Sequence, residues 1–217
     1  MLLRTDTLSL MKGCIRQLQL LMCAALTVTA CAVPEGDPTT PEGAYYAWVH
    51  ARQKGDIAGC WEATHPEVRG YLERWNEVEH ATLIIIDNIY PTSRQAAALE
   101  ILEDGGRARL PDGKALFAHL MTRGDGQPLE AFQALGARVS STTPVDEETV
   151  ILTTLGGDTV TVKRVDEIWS FSLPEEQLLA LSKLVDKASA NLARANANAK
   201  RLRGVDQGTQ PESPSGQ

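Results

Sequence analysis

The chain has 217 residues, 43% hydrophobic, 23% charged and 5% aromatic, with a formal net charge of -7. That length suits one compact domain with tails, long enough to bury a core without staples. A nucleic-acid binder needs a basic face, and the acidic balance argues against one. Three of the four cysteines (Cys14, Cys23 and Cys31) fall at the start, which leaves Cys60 and no paired disulfide framework.

Residues 1–30 read as an export signal. Lys12 and Arg16 make a positive start, and Gln17–Ala30 is uncharged, with Leu18, Leu20, Leu21, Met22 and Leu26 as its apolar body and small residues at its close. The run falls short of the about 20 apolar residues of a membrane span. Val28-Thr29-Ala30-Cys31 resembles the lipobox of bacterial lipoproteins at all four positions. The resemblance implies that residues 1–30 are removed and that Cys31 carries a diacylglyceryl thioether. Several acyl chains are then expected, because a single chain holds only marginally at about 0.8 kcal/mol per buried methylene. Ala32, where an Asp would favour the inner membrane, implies the periplasmic face of the outer membrane. Of the 21 basic and 28 acidic residues, three and one lie in 1–30, leaving 18 and 27 in the processed chain, net -9. Such a body is not drawn to anionic headgroups, so attachment would rest on the lipid.

Residues 31–41 read as the lipidated cysteine and a Pro-rich tether, since three prolines and a glycine in Val33–Pro41 prevent helix and central strand. An α+β domain is expected over 42–173. Its first half reads helical. Glu42–Lys54 is a helix stopped by Gly55, with Tyr45, Trp48 and Val49 on one face, and Asp56 caps a short helix to about Ala63. Thr64-His65-Pro66-Glu67 matches a capping box with Thr64 as its cap. The helix after it carries Val68, Tyr71, Leu72, Trp75 and Val78. Leu83–Ile86 is either its continuation or a strand, and Pro91 ends it either way. Ser93–Glu103, Lys114–Met121 and Pro128–Ala137 are further helix candidates.

The period then changes. Ala137–Thr143, Thr149–Leu155, Thr159–Val165 and Ile168–Leu173 read as strands of an antiparallel meander of three or four strands, with turns at Gly156-Gly157 and Asp166-Glu167. Ser172–Glu175 matches a second capping box, opening an amphipathic helix over 174–203 with Gly204 as its stop and a disordered tail over 204–217. Leu178, Leu181, Val185, Ala188, Leu192, Ala195, Ala199 and Leu202 form an unbroken heptad seam. That seam has two readings, packing on the protein's own core or pairing with a partner or a second copy through Leu178, Leu181, Val185 and Leu192.

Tyr45–Trp61 and Thr159–Ser172 resemble the nuclear transport factor 2-like superfamily of small α+β domains. The features are an aromatic first helix, a Gly55-Asp56 break into a second helix, and a closing hairpin, Val160 to Trp169, with Trp169 just after the turn. The segment 93–137 reads as helices where that family places early strands. The resemblance implies a cavity, and some members use an Asp–His or Asp–Tyr pair within it; Asp56 and Asp87 are the aspartates to consider here.

The chemistry-bearing residues form no catalytic pattern. His50, His65, His80 and His119 have no partner at helical ligand spacing and no CxxC occurs, so neither metal nor cofactor is expected. Cys60 and His65 are the only local nucleophile–base pair. Tyr45, Trp48, Trp75 and Trp169 could form one core cluster or line an apolar ligand pocket. The expectation is a non-enzymatic, lipid-anchored envelope protein that binds a protein partner, with a carrier or sensor of a small apolar ligand or lipid as the alternative.

Overall fold

The computed structural model describes residues 34, 36–102, 106–123 and 136–208. The expected signal segment, Cys31, nearly all of the Pro128–Ala137 helix candidate, and 209–217 lie outside the described residues. The fold is α+β: α1 (Pro41–Gln53), α2 (Ile57–Glu62), α3 (Pro66–Ile89), α4 (Thr92–Leu99), α5 (Gly113–Arg123), then β1 (Val139–Pro144), β2 (Thr149–Thr154), β3 (Thr159–Val165), β4 (Ile168–Ser172) and α6 (Glu175–Gly208). Short 3-10 turns at Glu100–Leu102 and Arg107–Arg109 join α4 to α5.

Local chemistry sets most of the boundaries. Thr40 caps α1 by accepting the Gly43 N–H at 3.1 Å, with Pro41 in the first turn. Gly55, at φ +68, ends that segment in a conformation that costs glycine little. Asp56 caps α2 through the Gly59 N–H at 2.8 Å. Leu83–Ile86 continues α3: Leu83 and Ile86 are buried and Ile84 is 46% exposed, a helical rather than an alternating pattern.

The strands form one antiparallel meander in the order β1-β2-β3-β4. Its turns lie where the sequence places them, with Gly157 at φ +87 and Asp166 and Glu167 both in the left-handed region at φ 49 and 69. Val150 opposes Val162, and Val162 opposes Phe171, so these three side chains share the inner face. Trp48 of α1 stacks on Phe171 there, with ring centroids 4.3 Å apart and planes 14° from parallel.

The outer edge of β4 is covered by the chain's own loops. Trp169 N–H donates to Pro38 O at 2.8 Å, Phe171 N–H to Ala63 O at 2.9 Å, and His65 N–H to Phe171 O at 2.7 Å. The tether is thus seated on the domain, and Gly36 and Gly43 are required because a side chain on either would strike the facing backbone at Ala47 or Asp37.

Helix α6 packs most extensively on α3. Leu178, Leu181, Val185 and Ala188 are buried with Leu72 and Trp75 in the main core. The seam is therefore intramolecular: Leu178, Leu181 and Val185 are sealed in the domain, and Leu192 is half-buried. A partner helix could take up these three seam positions only if α6 left α3, although Leu178 also borders the outer face of the sheet. A smaller cluster of Leu83, Ile86, Leu102 and Ala108 lies beneath α4 and the 3-10 turns.

Three helix-end expectations are corrected. Thr64 does not cap α3; its hydroxyl is buried and donates to Cys60 O at 2.7 Å, and His65 caps instead, its Nδ1 accepting the Glu67 N–H at 3.3 Å. Ser172 is the last residue of β4, so the Ser172–Glu175 box is out of register with a helix that begins at Glu175. Gly204 does not stop α6, which continues to Gly208 and takes 204–208 out of the expected disordered tail. One glycine costs a helix only about 1 kcal/mol.

Candidate functional site

The four aromatic residues that could have lined one pocket do not converge on one. Tyr45 and Trp48 are buried in the core, and burial pushes the Tyr45 hydroxyl up to about 12, with Asp158 adding to the shift. Trp75 faces the α3–α6 seam, where its Nε1 donates to Glu79 Oε1 at 2.9 Å. Trp169 is half-buried on β4, with the Arg164 guanidinium 5.5 Å from its ring centroid. Of the four, Trp169 alone borders a cleft of about 530 Å³, between the tether, α1, α2 and β4, whose walls mix small residues such as Ala44, Ala47 and Gly59 with His50, Lys54, Asp56 and Glu62.

The nucleophile–base pair is dismantled as well. Cys60 is fully buried, its Sγ lies 3.9 Å from Trp48 O, and burial followed by Asp56 pushes the thiol up to about 11. A thiol so placed is protonated and shielded near neutral pH. His65 is buried with Nδ1 occupied by the α3 cap; burial first and then the Lys163 charge hold its pKa below the usual value, which keeps the ring neutral. His80 Nδ1 donates to Ala108 O at 2.9 Å, bracing the Arg107–Arg109 turn. Asp56 acts as a helix cap, and Asp87 lies 3.9 Å from Arg109. Among the described residues, no three His, Cys, Asp or Glu side chains are grouped to hold a metal ion.

Two features were not visible in the sequence. Glu79, on α3, is buried; its Oε1 accepts from Trp75 and, at 3.3 Å, from Arg107, whose guanidinium lies 5.0 Å from the Trp75 ring centroid. Glu79 Oε2 and Arg107 Nε are buried without a hydrogen-bond partner among the described residues. The pair bolts the segment after α4 to the α3–α6 seam. Its members are 28 residues apart, so no local spacing announces it.

The second feature is a groove of about 560 Å³ on the outer face of the sheet, with Thr161 and Ile151 in its floor, Glu67 and Tyr71 of α3 on one side and Leu178 and Leu179 of α6 on another. Ser172, paired with Thr161 and so on that same face, is buried and its hydroxyl makes no hydrogen bond among the described residues. The alternation of strand residues could have shown which positions face outward, but not that α6 folds back to wall them in. No protein-family model, curated protein or solved structure matches this chain.

Proposed function

We propose that this chain is a bacterial envelope lipoprotein, anchored through acyl chains on Cys31, whose α+β body is a non-enzymatic protein-interaction module at the periplasmic face of the outer membrane. The observation that carries the reading is the Val28-Thr29-Ala30-Cys31 motif behind an uncharged apolar run. The seated tether supports it: Pro38 is hydrogen-bonded to β4 and Gly36 lies against α1, so the body begins five residues after Cys31. No helix among the described residues is long and apolar enough to cross a membrane. We extend the proposal to kinship with the nuclear transport factor 2-like superfamily, on the α1–α2 break at Gly55 and the position of Trp169 after the last hairpin.

The test is intact-mass analysis of the protein from membranes beside Cys31→Ser. The expected product has lost residues 1–30 and gained several acyl chains, and Cys31→Ser is released or unprocessed. A cleaved, unlipidated and soluble product overturns the anchor.

A further inference from the structure

The outer-face groove combines an apolar surface with an unbalanced border. Ile151, Leu173, Leu178 and Leu179 line it, with Val145 at the β1–β2 turn, and Leu179 and Val145 are 55% and 58% exposed. Four charged side chains border it: Glu67, Asp146, Lys163 and Glu175. Lys163 Nζ donates to Glu67 Oε2 at 2.8 Å, so these two offset each other. Asp146 is held in place by the Glu148 N–H, which donates to its Oδ1 at 2.8 Å. Glu175 is exposed at the first residue of α6. Neither Asp146 nor Glu175 is in an ion pair among the described residues; the Lys163 charge reaches Asp146 as well as Glu67, but three carboxylates face one ammonium, so the charge left facing the groove is negative.

We propose that this groove binds a small apolar cation, an ammonium group on an aliphatic or aromatic body. The body lies against Ile151, Leu178 and Leu179, and the ammonium is directed toward Asp146 and Glu175. The volume falls within the range of small-molecule sites, which pair apolar walls with a few placed polar groups. An anion of equal size meets two carboxylates, and a neutral molecule forgoes the attraction. The site does not depend on the anchor at Cys31, so the two readings fail separately.

The test uses the full chain made by cell-free synthesis without membranes, with methyl-labelled Ile, Leu and Val observed by NMR. The probes share one ring: cyclohexylammonium, cyclohexanol and cyclohexanecarboxylate. The ammonium is expected to shift the methyls of Ile151, Leu178 and Leu179 and to bind on the order of tenfold more tightly than the carboxylate, the worth of two exposed charge contacts. Asp146→Asn with Glu175→Gln is expected to reduce that preference to about twofold or less while the methyls still respond, since Asn keeps the acceptor of the turn. Leu179→Ala is expected to weaken all three probes. Absence of methyl shifts with every probe, equal binding of carboxylate and ammonium, or a preference that survives the double substitution overturns the proposal.

Discussion

The layer between α1 and the sheet and the seam between α3 and α6 bury comparable side chains in different company. In the first, Trp48 lies flat on Phe171 over Val162, and Leu152 is fully buried nearby. In the second, the aliphatic row of α6 meets Trp75, but Glu79, Asn76 and Thr82 of α3 are also buried, and Arg107 enters from a distant loop. The apolar layer is held by shape and loses stability in proportion to the volume removed. The polar seam is held by partners, and it loses stability when one partner goes and the other stays behind. Similar burial therefore predicts opposite responses to paired substitutions.

Trp48→Ala is expected to have the largest effect, about 3–5 kcal/mol in urea unfolding, because it opens a cavity that Phe171 cannot fill. Adding Phe171→Ala should increase that loss. Glu79→Ala is expected to cost about 2–3 kcal/mol, below the range for a fully buried pair because the Arg107 side chain keeps 18% of its exposure. Here the second substitution should help: Glu79→Leu with Arg107→Leu is expected to be more stable than Glu79→Ala alone. A double variant less stable than Glu79→Ala would erase the contrast between the two regions. Asp56→Ala, which removes the α2 cap from outside both layers, is expected to cost about 1 kcal/mol.

Near neutral pH the smallest expected effects are those of the titrating groups, whose contributions change only toward the acid and alkaline limbs. His65 has a lowered pKa in the folded protein, so the unfolded chain binds its proton more readily; stability is full above about 6.5 and declines as pH falls below it. His65→Gln should flatten that acid limb. Cys60 and Tyr45 act at the other end. Their raised folded values, about 11 and about 12, keep both groups protonated in the fold, so stability is lost as pH rises above the unfolded values of 9.0 and 10.0. Cys60→Ala should shift the start of the alkaline decline upward in pH-dependent unfolding.

The meander was largely legible because a strand's alternation and its turn residues are local. Thr159–Val165 coincides with β3, and the Asp166-Glu167 turn adopts the backbone that a tight hairpin requires. Helix existence was legible for the same reason. The Asp56 cap was legible as well, but the cap of α3 was not, because two chemistries compete for one hydroxyl: Thr64 satisfies the Cys60 carbonyl behind it instead of an N–H ahead. Ser172 carries two readings in the sequence, a residue of the Ile168–Leu173 strand and a helix cap, and only the strand holds because the helix begins at Glu175. The Leu83–Ile86 ambiguity ended only with burial, since an all-apolar run carries no phase of its own. The groove and the Glu79–Arg107 pair were illegible in principle, because each is assembled from segments that meet only in the folded chain.

The covering of β4 by Pro38, Ala63 and His65 also gives the sheet a polarity with respect to growth. A foreign strand adding there must first strip away three backbone hydrogen bonds and displace the tether. The opposite rim is guarded differently. β1 is interrupted between Val139 and Ser141, where Ser140 turns its hydroxyl onto the Thr153 carbonyl, and it ends at Pro144, which has no N–H to offer. A crowd of these molecules on one surface would therefore meet side by side without either rim serving as a template for the next.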